Sequence, residues 1–251
     1  MRRIAGGEME SAQFQDIAAI EKWYWWFHVR YRHVADILME RSVAGGGRVV
    51  DWGCGTGGFI EYLTGRRSYP RDAVVGFEPS DYAREILTAR GIPCIVPDLT
   101  RPFLDQIEMP VNAVTMLDVI EHVEKPAETL AYLRDGVTVG GCLVVLAPAF
   151  PHLWSEWDER LGHWRRYTIA SLEREIECGG WQVIKARYLF SAMYLIGLLR
   201  KHMIRKKKMS EVEFPKVSEG MNKFLTSFFS LEARMPMLPF GTSVSVVALK
   251  K

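Results

Sequence analysis

The chain has 251 residues, and its 32 lysines and arginines against 30 aspartates and glutamates give a formal net charge of +2. This near-balance excludes a protein that binds nucleic acid through bulk positive charge, so no nucleic-acid partner is expected. A chain of this length can fold without disulfides, and its four cysteines form no Cys-x-x-Cys pair. No apolar run reaches the roughly 20 residues that span a bilayer, and we expect a cytoplasmic protein.

From about residue 48, β-branched segments alternate with amphipathic ones. This pattern predicts strands at 48–52, 73–78, 92–97, 111–117, 142–147, 183–189 and 243–249. It predicts helices at 59–63, 81–90, 126–134 and between Thr168 and Gly179, with Ser80 and Thr168 as N-caps. Strands that alternate with helices indicate an α/β fold with a doubly wound, Rossmann-like sheet.

The same pattern suggests how the chain is organised. We expect a single domain over 1–251, with its core at 46–190 and its last strand within 241–251. A helical segment at 1–45 is expected to act as a lid. A helical, partly basic insertion at 191–240 precedes the last strand.

The strongest chemical signal is a glycine-rich loop, 51–58, between the first predicted strand and its helix. Nucleotide-like ligands dock at this point of an open α/β sheet. Asp51 puts a carboxylate beside the loop, which would repel a pyrophosphate and attract an ammonium or sulfonium group. Glu78, at the end of the second strand, can accept hydrogen bonds from both hydroxyls of a ribose.

Two other functions are compatible with this loop. Gly53, Gly55 and Gly58 also satisfy the G-x-G-x-x-G pattern of nicotinamide-dependent oxidoreductases, although Asp51 disfavours a dinucleotide. A non-catalytic protein that binds the same ligand is the second alternative. No histidine, aspartate or glutamate group has metal-ligand spacing along the chain, so no metal is expected.

Three segments, 51–57, 76–80 and 117–123, resemble the successive motifs of class I S-adenosylmethionine-dependent methyltransferases. The resemblance implies S-adenosylmethionine as cofactor and a seven-stranded sheet of order 3-2-1-4-5-7-6 with an antiparallel last strand. It places the loop at the methionine end of the cofactor, Glu78 at the ribose, 98–99 at the adenine and 117–118 on the pocket floor. The residues assigned to the cofactor are Asp51, Gly53, Cys54, Gly55, Gly57, Glu78, Pro79, Asp98, Leu99, Leu117 and Asp118.

Segments 21–30 and 153–167 are similar to a bacterial subgroup of these enzymes that is found with sugar- and lipid-modifying pathways. That subgroup has a histidine where this chain has Trp157, so no catalytic role is carried over to position 157. Five aromatic residues at 23–27 either pack in the core or close over the cofactor. In the second case Arg30 would pair with the carboxylate of the cofactor.

The acceptor side of the site is predicted from residues that follow the fourth and fifth strands. His122 either takes a proton from an attacking hydroxyl or bonds a neighbouring backbone group, and His152 and His163 are further base candidates. The arginines at 165–166 either bind a substrate anion or pair with acids of their own loop. The predicted acceptor-binding residues are Trp154, Trp157, Trp164, Arg165, Arg166 and Tyr167.

The acceptor itself is predicted only as a class. An amine acceptor normally goes with an Asn/Asp-Pro-Pro-aromatic motif after the fourth strand, whereas this chain has Asp118-Val119-Ile120-Glu121 there. We therefore expect direct in-line transfer to an oxygen, less readily to carbon or nitrogen, of a small or amphipathic, lipid-like molecule. The basic run at 200–208 is either a solvated surface or a peripheral anchor on anionic membrane headgroups.

Overall fold

The computed structural model describes residues 11–41, 47–107, 111–203 and 215–251. The strands are β1 (Val49–Trp52), β2 (Val74–Phe77), β3 (Cys94–Ile95), β4 (Val111–Leu117), β5 (Val137–Pro148), β6 (Gln182–Leu189) and β7 (Ser243–Leu249). The helices are α1 (Ser11–Ile20), α2 (Trp25–Glu40), α3 (Gly58–Glu61), α4 (Asp81–Ala89), α5 (Phe103–Ile107), α6 (Pro126–Asp135), α7 (Glu156–Arg160), α8 (Ile169–Cys178), α9 (Ser191–Met203) and α10 (Glu219–Glu232).

The strands form one seven-stranded sheet of order β3-β2-β1-β4-β5-β7-β6. Strands β1 to β5 pair in parallel, and β7 lies antiparallel between β5 and β6. The predicted fold class, with its strand order and antiparallel last strand, is confirmed. The carboxyl ends of β1 to β6 therefore meet along one edge of the sheet, together with the start of β7; we call it the ligand edge.

Both faces of the sheet are covered, which explains why its strands are continuous apolar runs. All four residues of β1 are buried. Val49 belongs to an apolar cluster shared with α2, and Val50 belongs to a second cluster shared with α6 and α8. Side chains of successive strand residues point to opposite faces, so β1 contributes to both clusters.

The N-terminal helices and the late insertion pack on the same face. In α2, Trp25 stacks on Phe229 of α10 with ring centroids 5.1 Å apart. The side chain of Asn222 accepts a hydrogen bond from the Trp25 backbone N–H at 2.8 Å. Most of the 23–27 aromatic run is thus buried in the core, although Trp23 is exposed.

Some predicted boundaries were wrong. Strand β3 has two residues instead of six because only Cys94 and Ile95 pair with β2. Strand β5 begins at Val137, before the predicted start at 142, and it includes Gly140, whose backbone is left-handed. The helix predicted at 59–63 starts at Gly58 and continues as a π-helical turn over Tyr62–Arg66.

The basic run at 205–208 lies outside the described residues. Within the described ranges, every helix is too short or too polar to cross a membrane.

Candidate active site

The glycine-rich loop leaves β1 at the ligand edge and enters α3. Gly53 and Gly55 both have left-handed backbones, with φ of 72° and 54°. A Cβ at Gly53 would lie 2.6 Å from Val119, whereas a Cβ at Gly55 would meet no atom of the described chain within 4 Å. Gly53 therefore allows the loop to pack closely, and Gly55 faces the open space in which a ligand can lie against the backbone.

Asp51 stands at the end of β1 and is almost fully buried. Its carboxylate accepts a hydrogen bond from the Thr115 hydroxyl at 2.6 Å. Burial raises the pKa of Asp51 to about 7, and the nearby carboxylates of Glu78 and Glu21 add to the rise. A cationic ligand group beside the loop would favour the ionised form.

Glu78, at the end of β2, holds the loop and α4 together. Its carboxylate accepts hydrogen bonds from the backbone N–H groups of Gly55 and Ser80, each at 2.9 Å. Burial raises its pKa, and these two bonds act against the rise. Because each carboxylate oxygen has a second lone pair, both can still accept a bond from a ribose hydroxyl.

The remaining predicted cofactor residues occupy different environments. The Cys54 side chain turns away from the loop toward β2 and β3, because its sulfur lies where a side chain at Gly76 would be. Its hydrogen bond with Cys94, together with burial, raises the pKa of the Cys54 thiol. Pro79 and Leu99 are exposed and Asp98 is partly exposed, at the ends of β2 and β3; the Asp98 carboxylate accepts bonds from Thr100.

Glu21 is a residue whose role the sequence did not indicate. It is buried, and its carboxylate accepts hydrogen bonds from the Thr56 hydroxyl at 2.7 Å and from Arg90 at 2.5 Å. Arg90 also donates to the backbone carbonyls of Thr56 and Ala18. The N-terminal segment is thus tied directly to the glycine-rich loop.

Arg30 lies in the wall of the site, at the junction of α2 with the ligand edge. It is buried, its guanidinium lies 4.0 Å over the Trp26 ring, and its Nη2 is 2.5 Å from the Asp118 carboxylate. Asp118 follows β4 and is partly exposed. Arg30 therefore pairs with an acidic residue of the chain itself. A cofactor carboxylate would have to share the Arg30 guanidinium with Asp118.

His122, which follows β4, and His163, which follows α7, come together at the ligand edge. Their ring centroids are 4.7 Å apart in an edge-to-face arrangement. Burial, followed by the proximity of His163, lowers the pKa of His122 to about 4. The neighbouring Glu121 is fully buried, and burial raises its pKa well above the ordinary value.

Asp158 organises the loop that carries His163. Although burial acts to raise its pKa, hydrogen bonds from His163 and Arg166 hold that pKa well below the usual range. The contacts are 2.9 Å from His163 Nδ1 and 2.6 Å from Arg166 Nε. The Ser155 backbone N–H also donates a capping hydrogen bond to the Asp158 carboxylate.

The contacts of the chain itself bear on the predictions for the acceptor side. Arg166 is held by Asp158, which agrees with the alternative in which the arginines pair with acids of their own loop. Tyr167 is buried, and its hydroxyl donates to the Ile120 carbonyl, so its ring is part of the core and not an accessible surface. His152 lies apart from the other two histidines and contacts the Tyr194 hydroxyl at 3.1 Å. The Arg165 guanidinium donates to the Glu124 carbonyl.

The tryptophans of the same loop differ in exposure. Trp164 is exposed, while Trp154 and Trp157 are half-buried. The Trp154 indole N–H donates to Glu159 at 3.4 Å. The exposed ring of Trp164 is thus the most accessible apolar surface among the predicted acceptor-binding residues.

Three non-glycine residues at the ligand edge have left-handed backbones. Asp118, Phe150 and Phe190, with φ of 58°, 58° and 62°, follow β4, β5 and β6 respectively. Backbone of this kind is costly for side chains other than glycine and concentrates at functional sites. The conformations mark this edge as the functional end of the sheet.

A family model described as a methyltransferase domain matches residues 25–186, which include the glycine-rich loop, Asp118 and the histidine pair. The chain belongs to this methyltransferase family. S-adenosylmethionine is the methyl donor of the enzyme, and the open space at Gly55 between Asp51 and Glu78 fits that molecule. The nicotinamide-dependent alternative is therefore set aside.

Solved structures share the fold of this methyltransferase. A chain from the complex between the Haloferax volcanii Trm112 methyltransferase activator and a methyltransferase is 17% identical, with a TM-score of 0.59, covering 95% of this chain and 93% of that one. A SAM-dependent methyltransferase from Archaeoglobus fulgidus is 16% identical, with a TM-score of 0.56 and coverages of 88% and 94%. Geranyl diphosphate C-methyltransferase from Streptomyces coelicolor is 15% identical, with a TM-score of 0.52 and coverages of 87% and 78%. No curated protein matches this sequence.

Proposed function

We propose that this methyltransferase transfers the methyl group of S-adenosylmethionine to an oxygen of a small or amphipathic acceptor, by direct in-line displacement. The observation that carries the proposal is the arrangement of the ligand edge. The glycine-rich loop and its two buried acids lie after β1 and β2, and Asp118 with the His122–His163 pair lies after β4. S-adenosylmethionine bound after β1 and β2 would therefore face a methyl acceptor bound after β4.

On the donor side, the proposal assigns one role to each group of residues. Asp51 attracts the ammonium of the methionine part, and Gly53 and Gly55 let that part approach the backbone. Glu78 binds the ribose, and the exposed surface at 98–99 covers the adenine. Arg30 and Asp118 form the wall beside the carboxylate of the cofactor, supported by their 2.5 Å contact.

On the acceptor side, the enzyme mainly has to align two reacting atoms. The sulfonium already activates the methyl group, so an acceptor oxygen held at about 3–3.5 Å from the methyl carbon can displace it directly. The oxygen forms the new bond, the sulfur keeps the electron pair, and the hydroxyl proton must leave. The His122–His163 pair, which follows β4 at the ligand edge, can assist this loss.

An amphipathic acceptor is supported by exposed apolar side chains of the described chain. Trp164 is exposed, and α10 exposes a row of large apolar side chains. These are Met221, Phe224, Phe228 and Leu231. The same row supports peripheral contact of the protein with a membrane surface.

Calorimetric titration with S-adenosylhomocysteine tests the donor side. We expect binding to the wild type, weaker binding by about tenfold or more for Glu78→Gln, and unchanged binding for the exposed control Glu85→Gln. Labelled S-adenosylmethionine offered with hydroxylated and aminated amphiphiles then tests the acceptor. Preferred transfer to amines would overturn the oxygen assignment.

Vesicle co-sedimentation tests the membrane contact separately. Phe224→Ser combined with Phe228→Ser should release the protein from anionic vesicles, whereas Val139→Ser, at an exposed position far from α10, should not. A wild type that stays in solution at low salt would contradict the contact and leave methyl transfer untouched.

A further inference from the structure

Glu121, His122 and His163 form a compact polar cluster at the ligand edge. Each residue offers one ligand atom, and within the described chain these atoms all lie within 4.8 Å of one another. Glu121 and His122 belong to the short 3₁₀ turn Ile120–His122 after β4, and His163 comes from the loop after α7. The cluster unites residues that are far apart in the sequence.

The Glu121 carboxylate is the unusual member of the cluster. The residue is fully buried, and neither of its oxygens has a hydrogen-bond partner among the described residues. A carboxyl group buried without partners is unfavourable when ionised, and buried carboxylates are normally protonated, paired or bound to a metal. The position of Glu121 beside two imidazoles favours a bound metal.

Both histidines are held through contacts outside the cluster. His163 uses Nδ1 for its 2.9 Å contact with Asp158, which leaves Nε2 available. His122 is hydrogen-bonded to the backbone of Gly162, which engages one of its nitrogens. Metal-binding histidines typically donate their second N–H to a carboxylate or a backbone carbonyl in this way.

Asp158 is itself fixed, because Arg166 and the Ser155 backbone N–H both donate to it. The outer contacts of the cluster are therefore in place, and among the described residues the Glu121 oxygens are left without partners. Metal bonds of about 2.0–2.2 Å bring the ligands of one ion to roughly 3–4 Å from each other. Small side-chain rotations would close the present spacing.

We propose that Glu121, His122 and His163 bind one divalent transition-metal ion. Two imidazoles and one carboxylate suit ions such as Zn²⁺, Co²⁺ or Fe²⁺ and leave coordination positions open. The catalytic role of this ion rests on the proposed function. An open coordination position of the ion would bind the acceptor hydroxyl, lower the pKa of that hydroxyl and orient its oxygen toward the methyl group. The hydroxyl proton goes to solvent, the oxygen–methyl bond forms, and the sulfur–methyl bond breaks to give S-adenosylhomocysteine.

The test is titration of tag-free, chelator-treated protein with Co²⁺, followed by visible absorption, and with Zn²⁺, followed by calorimetry. We expect one ion per chain, with binding abolished in His122→Ala and His163→Ala. Asp158→Asn should weaken binding by about 10–100-fold. His152→Ala is the matched control and should bind like the wild type.

Thermal unfolding adds a readout that does not depend on any acceptor. Bound metal should raise the Tm of the wild type and leave the Tm of Glu121→Gln unchanged, because a ligand stabilises only the state that binds it. A wild type that binds neither ion, or an equal loss of binding in His152→Ala, would overturn the site. Titration of the same samples with S-adenosylhomocysteine separates this result from a failure of the proposed function.

Discussion

The carboxylate of Glu21 accepts a hydrogen bond from the hydroxyl of Thr56 at 2.7 Å, although 35 positions separate the two residues in the sequence. Thr56 belongs to the glycine-rich loop, and Glu21 lies between α1 and α2. The N-terminal segment thus holds the glycine-rich loop in place through this hydrogen bond. A carboxylate oxygen of Glu21 would lie 2.1 Å from a Cβ at Gly58, so only a glycine fits at the start of α3.

Replacement of Glu21 by alanine should destabilise the protein and weaken cofactor binding. The change removes the acceptor of the hydrogen bonds from Arg90 and Thr56 and leaves Arg90 its weaker 3.3 Å contact with Glu61. Because the loss of one partner of a buried ion pair costs about 3–5 kcal/mol, we expect a loss toward the lower end of that range. Urea unfolding and titration with S-adenosylhomocysteine measure the two effects. Lys22→Ala removes an exposed ion pair with Glu61 and should cost at most about 1 kcal/mol; equal losses for both variants would contradict the role of Glu21.

Gly55 and Gly91 provide a matched pair of substitutions. Both have left-handed backbones, and a Cβ at either position meets no atom within 4 Å in the described chain. Alanine at each should therefore cost a similar amount of stability, about 1 kcal/mol. Only Gly55→Ala should weaken binding of S-adenosylhomocysteine, because its methyl group occupies the ligand space; unchanged binding would place the cofactor elsewhere.

Cofactor affinity should rise with pH through the titration of Asp51. Its pKa of about 7 means that the carboxyl is mostly protonated at pH 6 in the free protein, and the neutral form attracts the ammonium of the ligand less. The groups that face it are the Thr115 hydroxyl and the carboxylates of Glu78 and Glu21. S-adenosylhomocysteine should bind up to about tenfold more weakly at pH 6 than at pH 7.5. Asp51→Asn should flatten this dependence; a slope that persists in the variant would assign it to another group.

Acid should destabilise the protein through His33. This buried histidine contacts the Ser245 hydroxyl at 3.0 Å. Burial lowers its pKa to about 3, with Arg187 and Lys185 adding to the effect and Asp36 opposing it. The unfolded chain takes up a proton below about pH 6.5 and the folded protein does not, so this contribution to stability is complete above pH 6.5 and is lost toward pH 3.

Chemical unfolding at several pH values checks this prediction. His33→Gln keeps a hydrogen-bonding side chain that does not titrate, so the variant should lose less stability than the wild type between pH 6.5 and 4.5. His152→Gln, at an exposed position, should follow the wild type. Identical curves for all three proteins would exclude His33 as the acid-sensitive group.

The sequence predicted those parts of the fold that depend on local signals. The β7 range 243–249 and the caps Ser80 and Thr168 agree with the structure, because apolar runs and capping side chains act within a few residues. Strand β3 was predicted too long, since its length depends on how much of it pairs with β2. No local pattern contains that information.

The candidate site shows the same difference between residues with a local signal and contacts between distant segments. Asp51 and Glu78 could be predicted because each follows a recognisable strand, and parallel strands end at the same edge. The contacts of Glu21 with Thr56 and of Arg166 with Asp158, and the meeting of His122 with His163, depend on how separate loops pack. Spacing along the chain therefore gave no sign of the Glu121 cluster.

The left-handed conformations of Phe150 and Phe190 have a consequence for the evolution of the enzyme. An aromatic residue held at positive φ lowers the free energy of unfolding by about 1–2 kcal/mol relative to a glycine in the same conformation. The total stability of a protein is typically only 5–15 kcal/mol. Phe150 stacks on Tyr188 and Phe190 packs edge-on against Trp25, so glycine would relieve the backbone and remove this packing at once. Loss of a buried phenylalanine ring costs about 3–5 kcal/mol, more than the relaxed backbone would return. Selection for stability would thus retain an aromatic residue at these positions despite the strained backbone.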